Sequence, residues 1–157
     1  MNYLKAARDF SIVLRRSQGY VVEACENLGL TYSEYVLLLR IYDNEGCRQE
    51  DLVEMLFIDK AFVTRVVKSL EERNFIYREK DTSDRRIKRI YLTEFAKSQK
   101  RGLFHALDVW ARYLVADMDE KDAENMAKQI GCLAERAIQA RFHKIIMDGK
   151  CEEGKNK

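Results

Sequence analysis

Apolar positions recur at helical spacing near the start of the chain. A stripe with gaps of three and four residues predicts one helix over 3–28, ended by Gly29. The stripe consists of Phe10, Leu14, Ser17, Val21, Ala24 and Leu28. Because these positions share one face, the helix is expected to pack along one side and to leave the other in water.

Two further stripes predict long helices in the second half of the chain. The first helix is capped by Thr93 and ends near Ala116, and its stripe is Leu103, Leu107, Trp110 and Leu114. The second is capped by Asp119 and ends near Met147, and its stripe is Met126, Ile130, Leu133 and Ala137. The polar residues 148–157 are expected to form a flexible tail.

The middle of the chain predicts three shorter helices. Thr31 and Glu34 have the spacing of a capping box, and they open a helix that ends near residue 43. Helices are also expected over about 49–56 and about 60–73, the latter capped by Asp59. Since only about three residues separate these two, they form a helix-turn-helix, whose second helix enters the major groove of DNA.

A polar turn between two short strands follows the helix-turn-helix. Strands are expected over about 75–80 and 87–92, because apolar and basic residues alternate there. Four of the five residues over 85–89 are basic. A hairpin tip of this charge suits the phosphate wall or the minor groove of a duplex. A helix-turn-helix followed by a basic hairpin is the layout of a winged helix.

The charge of the 157-residue chain is concentrated in this central part. The formal net charge is only +2. Residues 59–93 contain ten Lys/Arg and six Asp/Glu, a net charge of +4, which leaves −2 for the rest. This asymmetry indicates a nucleic-acid contact on an otherwise neutral body rather than a basic protein as a whole.

Composition argues against several other classes of protein. The four cysteines form no CxxC pair, and two scattered histidines do not suggest a metal site. We therefore expect no metal, no cofactor and, in the absence of a catalytic motif, no enzyme. No signal-peptide pattern is visible, and no apolar run approaches the ~20 residues that span a bilayer. We expect a cytoplasmic protein with reduced thiols and no membrane partner.

The three long helices carry more apolar surface than a small winged core can cover. Pairing with a second copy would bury it, so we expect a homodimer. The predicted organisation is mainly α with a small β-wing: six helices, comprising a winged helix-turn-helix core and terminal dimerisation helices. Residues 1–30 and 94–147 form the dimerisation region, and 31–93 form the DNA-binding domain.

Two motifs resemble those of the MarR family (multiple antibiotic resistance regulators). The segment over 59–71 resembles the family pattern x-T-R-x-V-x-x-L-E, and its residues are Asp59-Lys60-Ala61-Phe62-Val63-Thr64-Arg65-Val66-Val67-Lys68-Ser69-Leu70-Glu71. The second resembles D-x-R…L-T, and is Asp84-Arg85-Arg86 followed by Leu92-Thr93. Both lie on the expected elements, and the resemblance extends over roughly 5–146.

The resemblance implies a homodimeric regulator that binds a pseudo-palindromic double-stranded DNA operator. Most directly it implies a repressor that a small aromatic or lipophilic effector releases from DNA. It also implies that Arg86 enters the minor groove while Asp84 holds its guanidinium. The full set of expected DNA-binding residues is Lys60, Ala61, Thr64, Arg65, Lys68, Asp84, Arg85, Arg86 and Lys88, with Arg89 as a further phosphate neighbour.

The chain departs from the family pattern at three positions. Phe57 and Asn74 stand where the family usually has glycine, in the turn of the motif and after the recognition helix. Phe62 stands where a small polar residue is common, so it could touch thymine methyl groups or pack under the wing. These departures leave the operator sequence open and the fold unaffected.

Two alternative functions remain open. Some MarR-like proteins sense oxidants through a cysteine near the start of the first helix, whereas Cys25 lies near its end and has no adjacent Lys or Arg. A winged helix can also serve as a protein-interaction module without a DNA target. Trp110, Tyr113 and Phe10 fit a dimer core better than a ligand pocket.

Overall fold

The structure is a computed structural model that describes the backbone of residues 2–155 and the side chains of 2–148. In order, its elements are α1 (Tyr3–Ala24), a 3-10 turn (Glu26–Leu28), α2 (Tyr32–Asp43), α3 (Gln49–Leu56), α4 (Lys60–Glu72), β1 (Ile76–Lys80), β2 (Lys88–Leu92), α5 (Glu94–Leu114), α6 (Glu120–Ile138) and α7 (Phe142–Lys155). The predicted class, mainly α with a small β-wing, is confirmed. The chain divides into two compact units, Met1–Tyr113 and Leu114–Lys157.

The core of the first unit is built around α2. Leu37, Leu38 and Ile41 of this helix are completely buried, and α2 contacts α1, α3, α4 and β2. The apolar side of α4 packs against it through Val63, Val66, Val67 and Leu70. A helix that is apolar on most sides must be surrounded, so the pattern over 36–39 accounts for its central place.

Helix caps occur where the sequence predicted them. Thr31 and Glu34 form a reciprocal capping box at the start of α2. Asp59 accepts a hydrogen bond from the backbone amide of Phe62 at 2.8 Å. Thr93 and Asp119 cap α5 and α6 in the same way, at 3.1 and 2.8 Å. Each side chain satisfies an amide that the helix itself leaves without an acceptor.

Two departures from the family pattern lie at left-handed backbone positions. Phe57 and Asn74 have φ angles of 55° and 59°, and they end α3 and follow α4. Gly29 has the same conformation, φ 57°, after the 3-10 turn. These are sites where glycine costs least, since a Cβ crowds the left-handed conformation. The chain therefore keeps the turn geometry without the glycine at two of the three positions.

Two predicted helix boundaries are wrong. The first helix is α1 followed by the separate 3-10 turn, not one helix over 3–28. The last predicted helix is two helices: α6 ends at Ile138, where the amide of Ala140 bonds to the carbonyl of Ala137 at 3.2 Å in a tighter turn. No glycine or proline marks this break, so the apolar spacing ran through it. The predicted flexible tail over 148–157 overlaps the end of α7, whose backbone is helical to Lys155; its flexibility stays a prediction.

The second unit consists of α6 and α7. No residue of α6 is buried. The exposed large apolar side chains of the two helices include Ile130, Leu133, Ile138, Phe142, Ile145, Ile146 and Met147. Among the described residues, no helix is both long and apolar enough to cross a bilayer.

Candidate nucleic-acid interface

The outward face of α4 is polar, basic and open to solvent. The Asp59 cap and the buried valines fix the rotation of the helix, so the remaining positions face outward. All five DNA-binding residues predicted on this helix lie there and are exposed: Lys60, Ala61, Thr64, Arg65 and Lys68. The structure therefore exposes these five residues on one face of α4, and their contact with DNA stays a prediction.

Several of these side chains already have intramolecular partners. Lys60 lies 3.1 Å from Glu50, and Lys68 lies 3.5 Å from Glu72. The hydroxyl of Thr64 donates to the Lys60 carbonyl and accepts from Gln49, both at 2.7 Å. Exposed ion pairs of this kind contribute about 0–1 kcal/mol. They can therefore be exchanged for phosphate contacts at little cost.

Arg65 is held differently, through Phe62. Its guanidinium lies over the Phe62 ring, 5.7 Å from the centroid, and it has no ion pair among the described side chains. The ring itself is half-buried and lines a cavity with Val36, Leu56 and Ile58. The ring therefore packs toward the core at this cavity, and its contact with thymine methyl groups or with the wing stays a prediction.

The wing consists of β1, β2 and the turn over 81–87. The strands pair antiparallel, from Ile76 with Leu92 to Lys80 with Lys88. The turn is organised by Asp81, which is only 8% exposed and accepts from the amides of Ser83 and Asp84 at 2.8 and 3.2 Å. The hydroxyl of Ser83 also binds Asp81.

An arginine–carboxylate pair does hold the wing, but not the predicted one. Asp84 accepts from the backbone amide of Arg86 at 2.9 Å, not from its guanidinium. Asp81 instead pairs with Arg89, which also donates to the Gly46 carbonyl at 2.9 Å. The Ser83 hydroxyl, then the Arg89 guanidinium, hold the pKa of Asp81 well below its usual range.

The contact of Asp84 with the Arg86 amide has a physical reason. An Asp two residues before an amide can close an Asx turn, which the short side chain of Asp84 reaches more easily than a guanidinium. Arg89 is thereby tied to the base of the wing. Arg85, Arg86 and Lys88 are exposed and have no ion pair among the described side chains. Together with the exposed Lys80 of β1, they are the cations that the wing presents.

A cationic cleft of about 410 Å³ lies between the start of α3 and the wing. Its lining includes Arg48, Gln49, Arg78, Arg86 and Lys88. The cleft forms because the chain before α3 pairs with the edge of β2, through a bridge between Arg48 and Arg89. Local sequence pattern does not predict Arg48, Gln49 and Arg78 at this site, since nothing in it shows that α3 begins beside the wing.

The two buried cysteines do not resemble reactive thiols. Cys25 and Cys47 are buried. Burial raises the pKa of Cys25 above its ordinary value. Burial and the nearby Asp51 raise the pKa of Cys47 to about 11. The thiolate, which is the reactive form, is disfavoured at both positions. Cys132 is exposed, and His, Cys, Asp and Glu side chains form no metal-binding cluster within the described residues.

Comparison with known proteins agrees with this arrangement. The model of the MarR family matches residues 30–88, which contain α2 to α4 and most of the wing. The uncharacterized HTH-type transcriptional regulator YybA of Bacillus subtilis is 39% identical over 90 residues. That alignment covers 57% of this chain and 60% of YybA, so the chain spans less than two thirds of this relative's length.

Solved structures extend the similarity to most of the chain. A MarR transcriptional regulator from Methanosarcina mazei Go1 superposes with a TM-score of 0.81, at 25% identity, covering 85% of this chain and 96% of that one. A putative MarR family regulator from Listeria monocytogenes, solved in complex with 26mer DNA, has a TM-score of 0.78, 20% identity and coverage of 85% and 89%. At 20% identity, the similarity to the Listeria protein shows a common fold and nothing more.

Proposed function

Because the chain belongs to the MarR family, we propose that it is a DNA-binding transcriptional regulator that binds a pseudo-palindromic operator as a homodimer. The observation that carries the proposal is one surface with two cationic parts. The outward face of α4 presents Arg65, and the wing presents Arg85, Arg86 and Lys88 without an intramolecular ion pair among the described side chains. Helix and wing together match the major and minor grooves of a duplex.

The α4 helix and the wing are suited to different kinds of DNA contact. Arg65 is on a helix of the size that fits a major groove, where an arginine fork can bind a guanine edge as well as phosphate. Arg86 is at the tip of a narrow hairpin, where it can respond to groove width and phosphate potential. We assign base recognition to α4 and sequence-independent affinity mainly to the wing.

The homodimer is supported by the apolar surface of the terminal helices. Phe10 and Ile12 of α1 are 61% and 60% exposed, and Leu133 of α6 and Phe142 of α7 are 62% and 74% exposed. Apolar side chains in such numbers are covered in stable soluble proteins. A second copy would cover the same faces on both chains by two-fold symmetry and would supply the second α4 that a palindrome requires.

The test compares Arg65→Ala with Arg101→Ala, an exposed arginine of α5 outside α4 and the wing. An operator is first selected from a random duplex pool by the wild-type protein. Arg65→Ala should narrow the affinity gap between this operator and a scrambled duplex by ~1–3 kcal/mol per lost base contact. Arg101→Ala should leave the gap unchanged. A winged helix used only for protein interaction would select no duplex and would show no salt-dependent binding.

We further propose that the regulator is a repressor that a small effector releases from DNA. The effector response is supported by a cavity of about 310 Å³ between α1, α2, α3, α4 and the α3–α4 turn. Its lining residues are Gln18, Tyr32, Ser33, Val36, Leu56, Ile58 and Phe62. Its lining is mostly apolar with a few polar groups, the usual character of a small-molecule site. Phe62 contacts Arg65, so an occupant would touch the ring that supports a proposed DNA contact.

Benzoate and phenol serve as probes of this cavity. Either probe should weaken operator binding by the wild-type protein, whereas Val36→Phe, which fills the cavity, should remove the effect without abolishing DNA binding. A reporter gene behind the selected operator should be silenced by the protein and restored by the probe. Activation of the reporter would contradict the repressor assignment.

A further inference from the structure

A buried ion pair lies away from the basic surface of α4 and the wing. Glu34 of α2 is only 4% exposed. One of its carboxylate oxygens accepts from Arg73 at 3.0 Å and from the amide and hydroxyl of Thr31 at 2.8 and 2.9 Å. The other accepts from the hydroxyl of Ser69 at 2.6 Å. Ser69 is on the last turns of α4, and Arg73 is the residue that ends it.

Arg73 also reaches the segment that follows α1. Its second guanidinium nitrogen donates to the carbonyl of Leu28, in the 3-10 turn between α1 and α2. Its guanidinium lies over the ring of Phe75, 5.5 Å from the centroid. The junction of Glu34 and Arg73 therefore fastens the C-terminal end of α4 to α2 and to the 3-10 turn that follows α1.

A gain in folding stability alone does not account well for a buried ion pair such as that of Glu34 and Arg73. Removing two charges from water costs several kcal/mol, and well-packed apolar residues often stabilise a protein as much or more. A planar guanidinium with fixed partners does, however, hold three elements in one relative position. Burial raises the pKa of Glu34, but the hydrogen bonds from Ser69, Thr31 and Arg73 outweigh it and lower the pKa below its ordinary value. The carboxylate therefore remains charged at neutral pH.

The three elements belong to different parts of the proposed regulator. The α1 helix is one of the faces proposed to pair with a second copy, and α4 is the helix proposed to enter the major groove. The distance between the two α4 helices of a dimer then depends on how rigidly α4 is attached to α1. In helix-turn-helix dimers, this distance sets the spacing of operator half-sites.

We infer that Glu34 and Arg73 are positioning residues that determine which half-site spacing the dimer accepts. The inference rests on the proposed function and deepens it. A loosened junction would let each α4 adopt more than one position relative to α1. The variant would then bind operators of altered spacing nearly as well as the original, and would bind the original less tightly because ordering α4 costs entropy.

The chain contains a matched control. Glu71 of α4 pairs with Arg78 of β1, with one nitrogen–oxygen distance of 3.0 Å. This pair has the same chemistry but joins α4 only to the wing, without reaching the segment that follows α1. Glu71→Gln removes one charge from that pair and leaves Arg78 in the cleft. It should lower stability without changing the preferred half-site spacing.

The experiment uses the operator selected by the wild-type 157-residue chain, together with versions in which the central spacer is one or two base pairs shorter or longer. Anisotropy titrations give the affinity ratio between original and altered spacing for wild type, Glu34→Gln, Arg73→Gln, Arg73→Lys and Glu71→Gln. Circular dichroism and thermal unfolding identify which variants are folded. Arg73→Lys keeps the charge but replaces the planar fork with a single nitrogen, so it provides a folded test if Arg73→Gln does not fold.

The affinity ratio between original and altered spacing should fall roughly threefold or more in Arg73→Gln and Glu34→Gln. It should fall by a smaller factor in Arg73→Lys and should not change in Glu71→Gln. An unchanged ratio in the folded Glu34 and Arg73 variants would overturn the inference while leaving DNA binding intact. An equal fall in Glu71→Gln would also overturn it, since the effect would then follow stability. If the wild-type protein selected no duplex, the proposed function itself would fail.

Discussion

The buried carboxylate of Glu34 should make the stability of this protein sensitive to acid. Its pKa is lower in the folded chain than its ordinary value. A lowered pKa means that its contribution is fully present above the unfolded pKa of about 4.3 and is lost as the pH falls below it. Other carboxylates with lowered pKa, such as Asp51 and Glu71, act in the same direction.

Glu34→Gln isolates this contribution. At pH 7 the substitution leaves Arg73 without its charged partner. The free energy of unfolding should fall by about 3 kcal/mol, the lower end for a broken buried pair. The lower end applies because the Arg73 side chain is 32% exposed. The gap in unfolding free energy between wild type and variant should shrink between pH 6 and pH 3.5, measured by urea denaturation. A gap that stays constant or widens in acid would contradict the assignment.

The buried thiols should leave DNA binding insensitive to mild peroxide. Cys25 and Cys47 are buried, and burial raises the pKa of both. Operator affinity measured before and after brief treatment with micromolar peroxide should therefore be the same. Loss of binding that a thiol reductant reverses, and that Cys25→Ser prevents, would favour the alternative of a redox-sensing regulator.

The role of a single side chain could be predicted from the sequence where its partner lies a few residues away along the chain. The caps Thr31, Asp59, Thr93 and Asp119 follow from helix chemistry within four residues of each cap, and all four are confirmed. The partner of Arg86 was not predictable in this way. Asp84 could reach either its guanidinium or its amide, and only the turn geometry set by Asp81 decides between them.

The terminal helices have apolar faces that the described chain leaves in solvent. The stripe of α6 lies at Ile130 and Leu133, which are 50% and 62% exposed, and Phe142 of α7 is 74% exposed. Helices gain most of their stability from packing of an apolar face. We therefore expect α6 and α7 to depend on a second copy of the chain for their stability.

Leu133→Glu tests this dependence. If Leu133 is covered in a dimer, the buried charge should prevent assembly and unfold the protein, since obligate dimers often have no stable folded monomer. Sedimentation of the wild type should give a molecular mass of twice 18.5 kDa, the mass of one chain. Lys128→Glu, on the polar side of α6, serves as the control and should remain dimeric. A folded, soluble Leu133→Glu monomer would show that the apolar stripe is not a dimer seam.

Helix existence was easier to predict than helix continuity. The spacing of Met126, Ile130 and Leu133 correctly indicated a helix, but it could not show that the chain stops at Ile138 and begins α7 at Phe142. The break rests on a tight turn of non-glycine residues, which leaves no compositional mark. The 3-10 turn after Ala24 escaped prediction for the same reason, since the apolar stripe continues to Leu28.

The chain as a whole separates its charge from its apolar surface. The net charge of +4 over 59–93 lies on α4 and the wing, whereas the large exposed apolar residues are concentrated on α1, α5, α6 and α7. Sequence alone predicted this separation because each property is visible in local composition. The cleft beside Arg48 was not predictable, because it depends on a long-range pairing between the start of α3 and β2.

Binding of duplex DNA through the wing should depend strongly on salt. Each phosphate contact releases counterions and adds about 0.9 to the slope of log affinity against log salt. Arg86 is exposed at the wing tip and only its backbone amide has a hydrogen-bond partner among the described residues. Arg86→Ala should weaken binding to operator and scrambled duplexes alike, because the wing is proposed to read charge and groove shape rather than bases.

The decisive measurement is a fluorescence-anisotropy titration of wild type and Arg86→Ala at several salt concentrations, with both duplexes. In a two-fold complex the substitution removes two cationic contacts, so the slope should shrink by about 1.8 units. If Arg86→Ala binds both duplexes as tightly as wild type, with an unchanged slope, the wing does not contact DNA and the hairpin is only a solvated turn.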